Sequence, residues 1–177
     1  VNSGMFPIVP YLSGQPHPLG KRLHNVQRCL RTLDLEEVGD NRHCSMFEMI
    51  GNWSLGDFTK EEQIPWICEF LIERCGLDPK RLYVTVFGGD TGDNLPVDEE
   101  AKELWKQFIP EERILHGSKK DNFWEMGEQG PCGPCSEIHI DLRSAEEIKR
   151  KTGRELVNSD HPQVVDCLLY TSPSPRD

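Results

Sequence analysis

The chain has 177 residues, of which 36% are hydrophobic, and its 20 lysines and arginines against 30 aspartates and glutamates give a formal net charge of −10. This length supports one buried core, and the acidic balance argues against a nucleic-acid-binding surface made of clustered lysine and arginine. The sequence contains neither a run of about 18 apolar residues nor the order of a signal peptide. Its seven cysteines follow no disulfide framework, so we expect a cytoplasmic protein without membrane association, and no particular oligomeric state is predicted.

The first part of the chain predicts a loop followed by two strands. Residues 1–20 contain four prolines and three glycines, which predicts an extended lead-in without a helix. Residues 27–32 and the apolar stretch 44–50 predict strands. The acidic segment 34–41 (DLEEVGDN) predicts the loop that joins them.

The next elements are predicted by capping residues and by hydrophobic periodicity. Thr59 and Glu62 form a possible capping box, and the residues on one face of the helix that follows are apolar: Ile64, Ile67, Cys68 and Leu71. Pro65 predicts that the regular part of this helix begins close to it. Residues 81–87 (RLYVTVF) then predict a strand that ends at a Gly-Gly-Asp turn.

The second half of the chain continues the alternation of helices and strands. A helix is predicted over residues 97–109, with Pro110 as its stop, and residues 136–140 predict a buried strand. Ser144 and Glu147 form another capping box, which predicts a short helix after them.

The last eleven residues, 167–177 (CLLYTSPSPRD), differ abruptly in composition from the segment before them. We interpret them as a cloning or sequence-assembly scar or a frame error, with a genuine short disordered tail as the alternative. One domain is therefore predicted over residues 1–166.

Arg31, His43 and Phe47 lie on either side of the predicted loop. Adjacent antiparallel strands would bring Arg31 and Phe47 to one face, with His43 at the end of the loop. A guanidinium fork suits a phosphate, and a flat aromatic ring suits a purine. The alternative is that the arginines make surface ion pairs and that Phe47 belongs to the core.

Cys132 and Cys135 have the spacing of a metal-ligand pair or a redox couple. A structural zinc site needs four ligands, and the chain has no second C-x-x-C and no suitably spaced histidine pair, so zinc is not expected in this segment. The prolines and glycines around the pair predict a tight turn rather than the helix start of a redox couple. We therefore expect both cysteines to pack as small apolar groups.

Three separate blocks resemble the catalytic domain of the alanyl-tRNA synthetases, a family of class II aminoacyl-tRNA synthetases: HCSMFEMIGNWSLGDFTKEEQI, DNFWEMGEQGPCGPCSEIHID and RELVNSDHPQVVD. The resemblance covers residues 1–166. It implies an α+β fold with the class II antiparallel β-sheet flanked by helices. It also implies an incomplete domain, because a G-x-G-x-E-R segment for the third class II motif and the long helix before the first motif are both absent.

The resemblance implies roles for residues of the second class II motif, two strands joined by a loop. Arg31 matches the arginine that holds the ATP α-phosphate and the amino-acid carboxylate. His43 matches the group near the γ-phosphate, and Phe47 matches the ring that stacks on adenine. The usual Arg-x-Glu is not present, and the role of its glutamate is left open between Asp34 and Glu36.

Two further candidates follow from the second block. A tryptophan beside glycines is commonly a packing residue, but the resemblance implies that Trp124 walls the alanine pocket. Glu137 and Asp141 lie four residues apart on a predicted strand and so share a face. They either hold Mg²⁺ with ATP oxygens, mainly through Glu137, or pair with the arginines of the second motif.

The resemblance implies ATP-dependent activation of L-alanine to alanyl-adenylate, with Mg²⁺, and transfer of the alanyl group to tRNA(Ala). We expect tRNA to be bound mostly by regions outside this chain, and we expect little or no activity from the chain alone. The alternative is a non-catalytic, synthetase-like module that binds a nucleotide or a partner without turnover.

Overall fold

A computed structural model describes residues 1–32, 36, 38, 44–127, 130–159 and 161–171, with side chains up to residue 166. The chain forms two compact units, Val1–Thr59 and Lys60–Asp177, each with its own sheet. Within the described ranges, no helix combines the length and the apolar character that a membrane span needs.

The first unit begins with a short 3₁₀ turn, Phe6–Ile8, and a one-turn helix α1, Val9–Leu12. The prediction that residues 1–20 contain no helix is therefore wrong. Pro7 and Pro10 lie at the starts of these turns, where the missing N–H of proline costs no hydrogen bond.

The sheet of the first unit consists of β1, Arg22–Leu30, and β2, Met46–Ser54, paired antiparallel from end to end. The two predicted strands are confirmed, but each extends further into polar sequence at the end away from the loop and stops two residues short of its predicted bound at the loop. Polar side chains are accommodated there because they bond to each other: Trp53 Nε1 donates to Asn25 Oδ1 at 2.8 Å. The Asn25 amide in turn donates to the Gly4 carbonyl at 2.9 Å.

The second unit opens with α2, Lys60–Cys68, which continues as a π-helical turn, Glu69–Arg74. The prediction that this helix begins near Pro65 is wrong, because Pro65 lies inside it. A proline in a helix removes one backbone hydrogen bond. The burial of Ile64 and Leu71 in the core on the same helical segment offsets that loss.

Helix α3, Glu99–Trp105, begins at Asp98, whose carboxylate accepts a hydrogen bond from the Ala101 N–H at 3.1 Å. It ends earlier than predicted, because the Phe108 and Ile109 N–H groups both bond to the Trp105 carbonyl and tighten the chain before Pro110. The remaining helices are short: α4, Lys119–Asn122; α5, Ala145–Arg150; and the 3₁₀ turns Pro79–Arg81, Glu111–Arg113 and Gly153–Glu155. The capping box predicted at Ser144 and Glu147 is confirmed.

The main sheet has the order β4-β3-β6-β5, and β7 also pairs with β6. Its strands are β3, Leu82–Phe87; β4, Ile114–Gly117; β5, Phe123–Glu125; β6, Cys132–Asp141; and β7, Val164–Thr171. Strands β3 and β4 are parallel and the other pairs are antiparallel, so the sheet is mixed. The predicted α+β class, a sheet flanked by helices, is confirmed. The backbone of β7 includes residues 167–171 of the predicted tail.

The core of the second unit lies on one face of this sheet. Leu82, Val84 and Val86 project from β3 onto helices α2 and α3. Buried residues from the other elements complete the cluster: Ile64, Cys68, Leu71, Ala101, Trp105, Ile109, Ile114 and Ile138. Because side chains alternate along a strand, Thr85 of β3 and Glu137 and His139 of β6 lie on the opposite face.

Candidate functional site

Arg31 and Phe47 meet at the end of the two-stranded sheet. The Arg31 N–H bonds to the Ser45 carbonyl at 2.9 Å, which carries the strand pairing one step past β1. The Arg31 guanidinium lies over the Phe47 ring, 5.1 Å from its centre, and its Nε donates to the Asn2 carbonyl at 3.0 Å. The prediction that these side chains share a face is confirmed, while their roles in binding stay predictions.

An open groove of about 400 Å³ lies at this end of the sheet, a volume typical of small-molecule sites. Its lining residues are mostly apolar: Val1, Arg28, Cys29, Leu30, Met46, Phe47 and Glu48. The Arg28 Nε is 3.9 Å from the Glu48 carboxylate, and both side chains are largely exposed, so this is a surface ion pair.

The loop between β1 and β2 is only partly described. His43 and Asp34 lie outside the described residues, and Glu36 is exposed. The expected contact of His43 with a γ-phosphate therefore stays a prediction, as does the choice between Asp34 and Glu36.

In the second unit, Glu137 lies in a polar cluster on β6. Its Oε2 is 3.4 Å from the Thr85 hydroxyl and 3.6 Å from Nε2 of the buried His139. On the other side of the ring, His139 Nδ1 contacts the Asp166 carboxylate. Ligand atoms of Glu137, His139 and Asp166 lie within 4.8 Å of one another.

The Glu137 carboxyl is in an unfavourable environment for a negative charge. Burial, followed by the charge of Asp166, raises its pKa to about 7. Its side chain is still 16% exposed, so a ligand can reach it. Mg²⁺ prefers oxygen ligands and is attracted to negative charge, so the Glu137 carboxylate has the chemistry of a ligand for the Mg²⁺ ion that the resemblance implies.

Asp141 shares this face of β6, as predicted, but it is fully engaged by Arg143. The Arg143 Nε and Nη2 donate to the two Asp141 oxygens at 2.9 and 2.7 Å, and the Arg143 N–H donates at 3.1 Å. Burial acts to raise the pKa of Asp141, but the hydrogen bonds from Arg143 outweigh it and hold the pKa below its usual range. The side-chain partner that the structure shows for Asp141 is thus a neighbour in sequence, Arg143.

Trp124 lies on β5 directly opposite the buried Gly133 of β6. Its Nε1 is buried and has no hydrogen-bond partner among the described residues. Gly133 and Glu137 are four residues apart on one strand, about 13 Å in extended backbone. The second unit therefore carries Trp124 and Glu137 on adjacent strands, and the first carries Arg31 and Phe47.

Asn122 connects β3 and β6 through side-chain hydrogen bonds, and this role was not predicted from the sequence. Its side-chain N–H₂ donates to the Thr85 hydroxyl at 2.9 Å, the Thr85 carbonyl at 3.3 Å and the Cys135 carbonyl at 3.1 Å. A Cβ at Gly117 would collide with Asn122 Oδ1, so this position requires glycine. No local sequence signal marks this role, because the partners of Asn122 lie on β3 and β6 and are brought to it by the strand pairing.

The prediction of a tight turn at Cys132 and Cys135 is wrong, because both residues belong to β6. Just before them, the Met126 N–H bonds to the Pro131 carbonyl at 3.1 Å. Residues three apart on a strand point to opposite faces, and accordingly Cys132 is exposed and Cys135 is buried. This geometry does not allow the two thiols to chelate one metal ion.

We predict that an alkylating reagent at neutral pH will modify Cys132 and leave Cys135 unmodified. Burial, with a smaller effect from Glu137, raises the pKa of the Cys135 thiol to about 12, so little thiolate is available for reaction. Mass spectrometry of tryptic peptides measures the two rates. Denatured chain, in which both thiols should react, is the control, and equal rates in the native chain would contradict the structure. Cys132→Ser should leave the metal content unchanged.

Comparison with known proteins gives the family. The family model described as "tRNA synthetases class II (A)" matches residues 1–170. The alanine–tRNA ligase of Christiangramia forsetii is 56% identical over 171 aligned positions, which cover 93% of this chain and 20% of the relative. Those of Cytophaga hutchinsonii and Bacteroides thetaiotaomicron are 55% and 51% identical, with 93% of this chain covered in each case and 19% and 20% of the relatives. The chain thus spans about a fifth of the length of these relatives, and with nearly all of its residues matched it belongs to the class II tRNA synthetase family.

Proposed function

We propose that this chain supplies the ATP- and alanine-binding part of an alanine–tRNA ligase, called the parent ligase below. The observation that carries the proposal is the identity of 50% or more to proteins named alanine–tRNA ligase, over 93% of the chain. The geometry supports it, because a guanidinium and an aromatic ring lie together beside a groove of ligand size.

The proposed reaction is attack of the alanine carboxylate on the α-phosphorus of ATP, which gives alanyl-adenylate and pyrophosphate. The alanyl group then passes to the terminal ribose of tRNA(Ala). Such a transfer needs positioned charges more than covalent catalysis. Arg31 is the proposed catalytic residue, because a guanidinium fork can neutralise the α-phosphate and also orient the carboxylate that attacks it.

The other residues of the first unit are proposed to hold ATP. Phe47 presents a flat apolar surface for adenine, and the adjacent groove is large enough to accept it. His43 is proposed to approach the γ-phosphate.

The second unit is proposed to hold alanine and the cation. Trp124 would wall the alanine pocket, and its buried Nε1 is a donor that a bound ligand could satisfy. Glu137 would hold Mg²⁺, whose bound form supplies positive charge to the phosphate oxygens of ATP.

The proposal extends to domain and location. Residues 1–166 are proposed to belong to the catalytic domain, with 167–177 outside it, since the composition changes at that point. The parent ligase is proposed to act in the cytoplasm, with tRNA(Ala) bound mostly by regions outside this chain.

The test is alanine-dependent exchange of pyrophosphate with ATP by the parent ligase. We expect robust exchange, and we expect Trp124→Ala to raise the KM for alanine at least about ten-fold, because the loss of a pocket wall is worth about 1–3 kcal/mol. Trp66→Ala is the matched control, since Trp66 lies on α2 and is 39% exposed. The KM of this variant for alanine should equal that of the wild type. ATP binding without any alanine-dependent exchange would refute the proposal and favour a non-catalytic binding module.

A further inference from the structure

Strand β5, which carries Trp124, has few backbone bonds that hold it in the main sheet. It consists of three residues, Phe123–Glu125, and among the described strands it pairs with β6 alone. One of its three cross-strand pairs joins Phe123 to Pro134, and proline has no N–H to donate to a neighbouring strand. Other contacts must therefore help to hold β5 against β6.

Asn122, the residue before β5, lies where the next pair of this ladder would form. Continuing the register of β5 and β6 by one step places Asn122 opposite Cys135. The backbone N–H of Asn122 bonds to the Ser118 carbonyl at 2.8 Å, at the end of α4. Its side-chain N–H₂ donates to the Cys135 carbonyl at 3.1 Å. The side chain thus extends the pairing with β6 by one bond at the point where the backbone leaves the helix.

The same amide group also bonds to β3. It donates to the Thr85 hydroxyl at 2.9 Å and to the Thr85 carbonyl at 3.3 Å, so one side chain joins the start of β5 to two strands. Asn122 is fully buried, and its Oδ1 lies against Gly117, where no Cβ would fit. Because three acceptors surround the N–H₂ group and the backbone of β4 lies against the oxygen, the amide is held in one orientation.

Trp124 follows Asn122 by two residues, which span at most about 7 Å of chain. Its side chain is half-buried, and its buried Nε1 has no hydrogen-bond partner among the described residues. No polar contact of its own therefore fixes the indole within the part of the chain that the structure describes. The position of the ring depends on where the backbone of β5 lies.

We propose that Asn122 is the positioning residue of Trp124 and thereby helps to set the size of the amino acid that the parent ligase accepts. This inference rests on the proposed function, in which Trp124 walls the alanine pocket. Because Asn122 is fully buried, it acts through the backbone of β5 and not by contact with the substrate. A misplacement of about 1 Å in a binding group can change a rate by about 10²-fold.

The first measurement follows the Trp124 ring without catalysis. In the chain labelled with nitrogen-15 tryptophan, the four indole N–H groups give separate signals, which single Trp→Phe variants assign. In Asn122→Ala we expect the signal of Trp124 to move, while that of Trp105 in the core stays in place. An unmoved Trp124 signal would overturn the inference. Equal movement of both signals would also overturn it and would assign Asn122 a general structural role.

The second measurement is the preference of the parent ligase for alanine over L-2-aminobutyrate, which is one methylene larger. The ratio of the kcat/KM values for the two amino acids in pyrophosphate exchange does not depend on the fraction of active enzyme. In Asn122→Ala we expect this ratio to fall about ten-fold, since one methylene in an apolar pocket is worth about 10–200-fold. The KM for alanine should rise, and the KM for ATP should be unchanged.

Glu125→Ala is the matched control. Glu125 lies on the same strand as Trp124, and its exposed carboxylate pairs with Lys119 at 3.2 Å. A surface ion pair of this kind contributes little to the position of a strand, so the control should keep the wild-type ratio. A similar fall of the ratio in Glu125→Ala would contradict a specific role of Asn122.

The outcomes separate the inference from the proposed function. A parent ligase without alanine-dependent exchange contradicts the proposed function, and the indole spectra still decide whether Asn122 positions Trp124. Normal exchange with the wild-type ratio in Asn122→Ala overturns the inference alone. If Asn122→Ala fails to fold, Asn122→Ser, which leaves a smaller cavity, replaces it. If both fail, deuterium exchange of the Asn122 side-chain amide in the wild type decides: slow exchange supports the inference, and exchange as fast as that of an exposed amide overturns it.

Discussion

Replacement of Arg31 by alanine in the parent ligase should slow alanine-dependent pyrophosphate exchange by about 10²–10³-fold, the range found when one preorganised charge-stabilising donor is removed from an active site. The loss should fall mainly on kcat, because negative charge at the α-phosphate develops in the transition state. Arg31→Lys should recover little of the rate, since an ammonium group provides no planar fork and stacks poorly on Phe47. Steady-state exchange kinetics at saturating ATP give these values.

The matched control is Arg22→Ala. Arg22 lies at the other end of β1, pairs with Asp57 and does not line the groove. Its removal changes the net charge by the same amount, so a purely electrostatic effect of lost positive charge would slow both variants equally. Comparable rates for Arg31→Ala and Arg22→Ala would show that Arg31 has no special role.

Replacement of Asp141 by leucine should lower the free energy of unfolding of the chain by about 3–5 kcal/mol, because it leaves the buried Arg143 without a counter-charge. The double variant Asp141→Leu/Arg143→Met should recover much of that loss, since a buried ion pair replaced as a whole by apolar groups is often close to neutral. Urea unfolding followed by tryptophan fluorescence measures both. Glu69→Ala, which breaks the exposed pair with Arg74, should cost less than about 1 kcal/mol.

The same pair predicts a dependence of stability on pH. The pKa of Asp141 is lowered in the folded chain, so its contribution to stability is present above the pKa of the unfolded aspartate, near 4, and is lost as pH falls through the folded value. The stability difference between the wild type and Asp141→Leu should therefore shrink in acid. A difference that is independent of pH would show that the pKa of Asp141 is the same in the folded and the unfolded chain.

The sequence predicted those features that depend on neighbouring residues. The continuous apolar run of β3, the capping box at Ser144 and the helix that carries Ile64 and Leu71 all follow from short-range patterns, and all three are present. The shared face of Arg31 and Phe47 was also predictable, because one loop joins their two strands.

Features that depend on distant strands were not predictable. The contact of His139 with Asp166 requires the register between β6 and β7, which no local pattern specifies. The same applies to the segment around Cys132: its prolines and glycines favour a turn, but pairing with β5 keeps it extended, with Pro134 opposite Phe123. Asn122 was missed for this reason too, since its partners Thr85 and Cys135 lie on two other strands.

The pairing of β6 with three other strands has a consequence for evolution. One uninterrupted strand carries both Gly133, opposite Trp124, and Glu137, beside Thr85. The distance between these two residues is therefore set by the extended backbone of a single strand. A single inserted residue between them would increase this distance by about 3.3 Å and turn either Gly133 or Glu137 to the opposite face of the sheet. During evolution, an insertion in this part of β6 would therefore require new pairing with the strands on both sides.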